Sequence, residues 1–235
     1  MSKKILVIGA TGSQGIPVVM SLLAPDEEGN PSPYSVRVFT RSPTSENATV
    51  LGSLPGIEVV KGDFGNLETL ILAMESCYGI FVNTDTLIYG EMGELYAGIK
   101  MFEAAHRVEG LKHFLYSGLD YGYKLGGYQR QYSNAPHLNA RGVVAEFIKS
   151  QPSDSEPAGR GLAWTVMTSG PYLENLGGYM LGARPNQNGT ANDPNEPLIF
   201  DIPTKNGHIP MMCLDDLGWW SRYIFDHLPR PLGKN

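Results

Sequence analysis

Cysteine is scarce in this chain of 235 residues: Cys77 and Cys213 stand far apart and outside any C-x-x-C, so neither a disulfide framework nor a zinc site is indicated, and no other metal-ligand spacing appears. Basic excess is missing as well. Eighteen Lys and Arg against 24 Asp and Glu give a formal net charge of −6, which argues against a standing attraction to nucleic acid or to an anionic membrane. Long apolar runs are absent too. The first, Ile5 to Ile8, breaks at Gly9, well short of a signal peptide or a membrane span, and the expected location is the cytoplasm, with the nucleus as a variant. No G-x-S-x-G elbow is present, which disfavours a hydrolase. The 42% of hydrophobic residues suffice for one large core, or one core with a small second lobe.

What is present begins at the N-terminus. The branched run Ile5-Leu6-Val7-Ile8 enters Gly9-Ala10-Thr11-Gly12-Ser13-Gln14-Gly15, and Ile16, Val19, Met20 and Leu23 follow at helical spacing. This reads as strand, tight turn and helix. One glycine lets the chain turn, one lets the backbone approach a diphosphate, and one lets helix and strand pack closely. The helix N-terminus then faces the phosphates with free N–H groups and a positive dipole end. Gly9, Thr11, Gly12, Ser13, Gln14 and Gly15 are therefore candidate dinucleotide ligands.

Further along, Ser35 to Thr40 alternates as a strand and ends at Arg41, where a second strand meets the adenosine ribose. An acid there holds the 2′-hydroxyl of NAD, whereas Arg pairs with a 2′-phosphate, so Arg41 points to NADP(H). A third strand, Ile57 to Asp63, ends with Asp63 and Phe64, which either cradle the adenine edge or form only a turn. Asn66 caps a helix to about Ser76 with Leu67, Leu70, Ile71 and Met74 inward. The fourth strand, Tyr78 to Thr84, ends with Asn83 and Thr84 on the ligand-binding side of the sheet. A long helix from about Gly90 to Val108 is expected to bury Met92, Leu95, Ile99, Phe102 and Ala105.

A fifth strand (Leu111 to Ser117) completes five βα repeats, and Leu162 to Thr168 adds a sixth strand. Between them, Leu119 to Ser133 carries Tyr121, Tyr123, Tyr128 and Tyr132, as either a mobile flap over a pocket or an ordered surface loop. Asn139 to Lys149 is helical. The expected fold class is thus α/β, a Rossmann-like doubly wound parallel sheet over residues 1–170, with residues 171–235 as part of a smaller interleaved lobe. That lobe is expected to hold a helix near Leu173 to Leu181, a polar loop from Pro185 to Pro197, and strands near Leu198 to Ile202 and His208 to Cys213. Asp215 or Asp216 would cap a last helix whose Leu217, Trp220, Ile224 and Leu228 share a face.

The glycine loop, Arg41, Gly62-Asp63-Phe64, His137-x-x-x-Arg141, Trp164-Thr165, Thr168-Ser169-Gly170-Pro171-Tyr172-Leu173-Glu174-Asn175 and Asp215-Asp216-Leu217-Gly218 together resemble the NmrA-like branch of the atypical short-chain dehydrogenase/reductases. The resemblance implies an NADP(H) site lined by the glycine loop, Arg41, Asp63, Asn83, Thr84, Pro171, Tyr172 and Asn175, with Arg141 toward the nicotinamide ribose. It also implies a chain that continues past Asn235 to close the smaller lobe. The superfamily's catalytic Tyr-x-x-x-Lys is absent from the helix after the fifth strand. In its place stand His137 and Arg141, one helical turn apart, with Ser117 near the usual strand-end hydroxyl, and these three are the candidate catalytic residues. The family holds both dinucleotide-sensing regulators with protein partners and NADPH-dependent reductases with small-molecule substrates, so two functions compete: a sensor, and a carbonyl, enone or imine reductase with a non-standard proton donor.

Overall fold

The structure, a computed structural model, describes residues 2–153, 161–176, 183–184, 199–200 and 207–227. Four βα units open the chain, running β1 (Lys3–Ile8), α1 (Gly15–Leu23), β2 (Tyr34–Thr40), α2 (Glu46–Gly52), β3 (Ile57–Lys61), α3 (Leu67–Met74), β4 (Gly79–Val82) and α4 (Thr86–Ala105). After them come β5 (His113–Gly118), the short α5 (Gly122–Leu125), α6 (Pro136–Lys149) and β6 (Ala163–Thr168). These six strands form one parallel sheet in the order β3-β2-β1-β4-β5-β6, the doubly wound arrangement expected from the repeats. The order reverses between β1 and β4, which puts the ligand crevice at the carboxyl ends of these two strands, next to the glycine loop.

Branched and aromatic side chains make the strands inward on both faces, because helices cover both. On one side Leu6, Ile8, Ile80, Val82, Phe114 and Tyr116 pack beneath α3, α4 and α6; on the other Ile5, Val7, Val36, Phe81 and Leu115 meet α1 and the last helix, α7 (Leu214–Asp226). The buried Arg37 of β2 donates to the Ala73 and Glu75 carbonyls at the end of α3 (2.7 and 2.9 Å), satisfying orphan acceptors of that terminus.

Helix faces depart from the sequence reading in several places. The buried stripe of α4 is Glu94, Ala97, Gly98, Met101, Phe102 and Ala105, while Met92 is exposed. Gly90, with a φ of 67°, separates a first turn from the rest of the helix, and on that rest the small Ala97 and Gly98 and the ion-paired Glu94 take the inward face. Leu67 of α3 is also exposed, since it opens the helix beside its Asn66 cap. In α7 the N-cap is Cys213, so Asp215 and Asp216 stand in the first turn rather than capping. Its buried face is Leu217, Gly218, Ser221 and Phe225; Trp220 is half-exposed, and Leu228 lies outside the described residues.

The segment after β6 is less regular than expected. Leu173–Asn175 forms a single tight turn, and the rest of the expected helix lies outside the described residues, as do the loop at 185–197 and most of the strand near Leu198. There, β7 (Ala183–Arg184) pairs antiparallel with β8 (Ile199–Phe200). His208 to Cys213 is not a strand: Met212 makes only an isolated parallel bridge to Tyr172. Proline at 210 removes a ladder donor and is one reason.

His113 of β5 has no solvent exposure; its Nε2 lies 3.0 Å from Thr165 Oγ1 and its ring meets Phe225 of α7 edge-on. Burial pushes its pKa down from 6.5 to about 4. The unfolded chain therefore takes up a proton that the folded chain refuses, and stability falls as the pH drops from 6.5 toward 4, by an amount on the order of 2–3 kcal/mol. Denaturant melts across that window are expected to show this slope in the wild type and a flatter one in His113→Gln.

Candidate functional site

The glycine loop turns so tightly that two of its glycines admit no side chain. A Cβ on Gly9, whose φ is +78°, would lie 2.7 Å from the Asn83 carbonyl oxygen, and one on Gly15 would lie 2.1 Å from the Gly9 carbonyl oxygen. Gly12 differs. A Cβ there would meet only the Gly9 oxygen, at 3.4 Å, so its outer side is open to a ligand. The amide groups of Thr11, Ser13 and Gln14 have no protein acceptor among the described residues, and α1 directs its N-terminus at them. On the neighbouring strand end, Asn83 Oδ1 is buried without a partner. The unsatisfied donors around an open backbone fit a dinucleotide diphosphate, and the buried acceptor beside them fits a hydroxyl donor such as a ribose offers.

Behind the loop, Gln14 is buried. It accepts a hydrogen bond from Ser117 Oγ at 2.6 Å, and its amide donates to the Tyr172 hydroxyl. Tyr172 in turn belongs to the segment bridged to Met212: the Leu173 amide donates to the Met212 carbonyl (2.9 Å) and the Met212 amide to the Pro171 carbonyl (3.1 Å). The structure thus brings three expected site residues, Gln14, Ser117 and Tyr172, into one hydrogen-bonded set, with Asn175 half-buried one turn further on. Asn47 of α2, which the sequence reading passed over, donates to the Thr11 carbonyl at 2.9 Å and supports the loop from outside.

At the adenosine end, Arg41 is exposed and lies with its guanidinium carbon 5.6 Å from the centre of the Tyr89 ring. The Tyr89 hydroxyl donates to Asp63 Oδ1 at 2.6 Å, and the ring stands 4.0 Å from that of Phe64, tilted by 40°. Burial, with the Asp63 carboxylate, pushes the Tyr89 phenol up to about 12, so it stays protonated and donating at neutral pH. Arg41, Asp63 and Phe64 thus all meet Tyr89. Tyr89 is the member that sequence reasoning missed.

The pair in the place of Tyr-x-x-x-Lys is not presented as a pair. His137 lies exposed in the first turn of α6, whereas Arg141 points inward, its Nε 3.1 Å from Glu94 Oε1 and its Nη2 donating to the Thr84 carbonyl. Glu94 has no solvent exposure and also accepts from the hydroxyls of Thr84 and Thr86. The Arg141 charge is therefore spent on a buried carboxylate rather than displayed toward a ribose. An available signal was the position of Glu94, which shares the helical face of Ala97, Gly98 and Met101 at i+3, i+4 and i+7.

A family model, that of the NmrA-like family, matches residues 1–234. The chain belongs to the NmrA-like family. Among its curated relatives, the NmrA-like family domain-containing oxidoreductase malD of Malbranchea aurantiaca is 39% identical over 118 residues, 48% of this chain and 33% of malD. An NmrA-like family domain-containing protein of Dictyostelium discoideum is 33% identical over 158 residues, 67% of this chain and 48% of its own length. The matched stretches thus span a third to a half of these relatives. Among solved structures, NmrA, a negative transcriptional regulator crystallised with NAD and with NADP, aligns at a TM-score of 0.58 and 22% identity over 74% of this chain and 47% of NmrA. A short-chain dehydrogenase/reductase from Veillonella parvula, in complex with NADP, reaches 0.58 at 12% identity over 97% of this chain and 88% of its own. At these identities the solved structures speak for the fold. Among the described residues no helix is long and apolar enough to cross a membrane.

Removing one partner of a buried ion pair leaves the other uncompensated, at a cost of about 3–5 kcal/mol. Arg141→Ala is therefore expected to lower the melting temperature by several degrees, and the joint change Glu94→Leu with Arg141→Leu to recover much of that loss. Thermal melts of the three proteins check this; Arg141→Ala at wild-type stability would refute the pairing.

Proposed function

We propose that this NmrA-like protein binds NADP(H) and acts as a dinucleotide-sensing regulator without the superfamily's dehydrogenase centre. The observation that carries the second half is the Glu94–Arg141 pair. A cation that should lower a phenol's pKa and hold a ribose is bound inside the protein, and the neighbouring His137 stands in solvent with no tyrosine in its place. The first half is supported by the unpaired loop amides, the orphaned Asn83 oxygen and the exposed Arg41, which has no acid at its strand end to repel a 2′-phosphate. The NAD and NADP complexes of NmrA support it further.

When bound, the dinucleotide supplies hydride chemistry at its nicotinamide. Thr11, Gly12, Ser13 and the α1 N-terminus would hold the diphosphate, Arg41 the 2′-phosphate, Asp63 and Phe64 the adenine, and Asn83, Tyr172 and Asn175 the nicotinamide half. Gln14 gives occupancy a route outward. Its side chain links the loop to Tyr172, and the Tyr172 segment is bridged to Met212 just before α7. A ligand that shifts Gln14 thereby acts on the 171–175 turn and on the surface that a protein partner would read.

A second reading, NADPH-dependent reduction of a carbonyl, enone or imine, is favoured by relatives named oxidoreductases and by the Ser117 and Tyr172 hydroxyls meeting at Gln14. Under either reading the cofactor is NADP(H), and one charge-assisted contact contributes about 1.5–3 kcal/mol, roughly ten- to hundredfold in affinity. Calorimetric titration is expected to rank NADP above NAD in the wild type, and Arg41→Glu to reverse the order. Equal affinities, or a ranking that survives the substitution, would remove Arg41 from the site.

A further inference from the structure

The adenosine end of the site holds a constellation with Tyr89 at its centre. Two donors converge on Asp63 Oδ1, the Tyr89 hydroxyl at 2.6 Å and the Gly65 amide at 2.8 Å, while Oδ2 has no protein partner among the described residues. The Tyr89 ring packs on Phe64 and lies beneath the Arg41 guanidinium. Tyr89 itself ends a single helical turn, Thr86 to Tyr89, cut off from the rest of α4 by the left-handed Gly90. That turn is fixed at its start: Asp85 caps the Leu87 amide at 2.9 Å and Thr86 donates to the buried Glu94. Tyr89 is thus anchored on one side and makes contact with all three groups, Arg41, Asp63 and Phe64, that a nucleotide would meet.

We propose that Tyr89 is a positioning residue whose hydroxyl holds Asp63 for recognition of a 6-aminopurine base and whose ring supports Arg41, the group that meets a 2′-phosphate. The inference rests on the dinucleotide site proposed above and adds its selectivity. With Oδ1 saturated, the carboxylate is held in one rotation and offers Oδ2 as a lone acceptor. An exocyclic 6-amino group donates to such an oxygen, whereas a 6-oxo group meets it acceptor to acceptor and is rejected. The same ring holds Arg41 by a cation–π contact at the end of β2, where a 2′-phosphate would accept from it. Tyr89→Phe isolates the hydroxyl, because the ring keeps its packing on Phe64 and under Arg41.

The test is calorimetric titration of the whole chain with NADP and with nicotinamide hypoxanthine dinucleotide phosphate, which differs only in the 6-position of the base. Wild type is expected to prefer the adenine form by about tenfold, and Tyr89→Phe to lower that ratio roughly three- to tenfold, while its melting temperature and its NADP-over-NAD ranking stay at the wild-type values. A merely structural Tyr89 would move affinity for both bases equally. A wild type that binds NADP but does not discriminate the base, or a ratio unchanged in Tyr89→Phe, would overturn this inference alone. A wild type that binds neither dinucleotide would overturn the site itself, and the selectivity with it.

Discussion

A carboxylate with no exposure to water, Glu94 in the middle of α4, ties together the carboxyl end of β4, the start of α4 and α6. Such a charge is tolerated inside a protein only when paired and hydrogen-bonded on all sides. Here the partners are the Thr84 and Thr86 hydroxyls and the Arg141 guanidinium, and each brings an element with it: the end of β4, the first turn of α4, and α6. The position that a short-chain dehydrogenase uses for a lysine beside its nucleotide is consequently part of the framework. Because the same carboxylate fixes Thr86, it also fixes the turn that carries Tyr89 to Asp63 and Arg41. One buried acid thereby holds the Arg141 guanidinium inside the protein and anchors the turn that carries Tyr89.

The glycine loop supplies the complementary half of the site. Its tightness comes from Gly9 and Gly15, which approach neighbouring backbone too closely for any side chain, and its openness from Gly12. Gln14 then replaces what would be an empty space behind the loop with a polar link to Ser117 and Tyr172. Loop, strand end and the turn after β6 are joined by hydrogen bonds as well as by apolar packing, and a ligand with polar groups of its own is able to compete for the hydrogen bonds.

The parallel sheet and the glycine loop were legible in the sequence because they depend on local signals: branched apolar runs, glycine spacing and alternation of strand and helix. Arg41, Asp63 and Phe64 were legible for the same reason, each following a strand end. The ion pair was not, since it joins residues 47 positions apart and becomes visible only when α4 packs on α6. The face of α4 was misjudged because its inward residues include an ion-paired acid and two small residues, Glu94, Ala97 and Gly98, and Tyr89 was missed because it precedes Gly90, where the helix was expected to start. Asp215 and Asp216 read as caps, but the chain enters α7 two residues earlier, where Glu174 Oε1 accepts from the Leu214 amide at 2.9 Å. A cap supplied from forty residues away in the chain leaves no local trace.

The central claim is that the site binds NADP(H) and does not turn it over by the dehydrogenase route. The most direct measurement follows NADPH by fluorescence and absorbance together, first on mixing with the protein and then on adding a panel of carbonyl, enone and imine compounds. The account predicts a saturable change in NADPH fluorescence on binding and no loss of NADPH above the protein-free rate with any member of the panel. Stoichiometric NADPH oxidation with appearance of a reduced product would contradict it and make this family member a reductase.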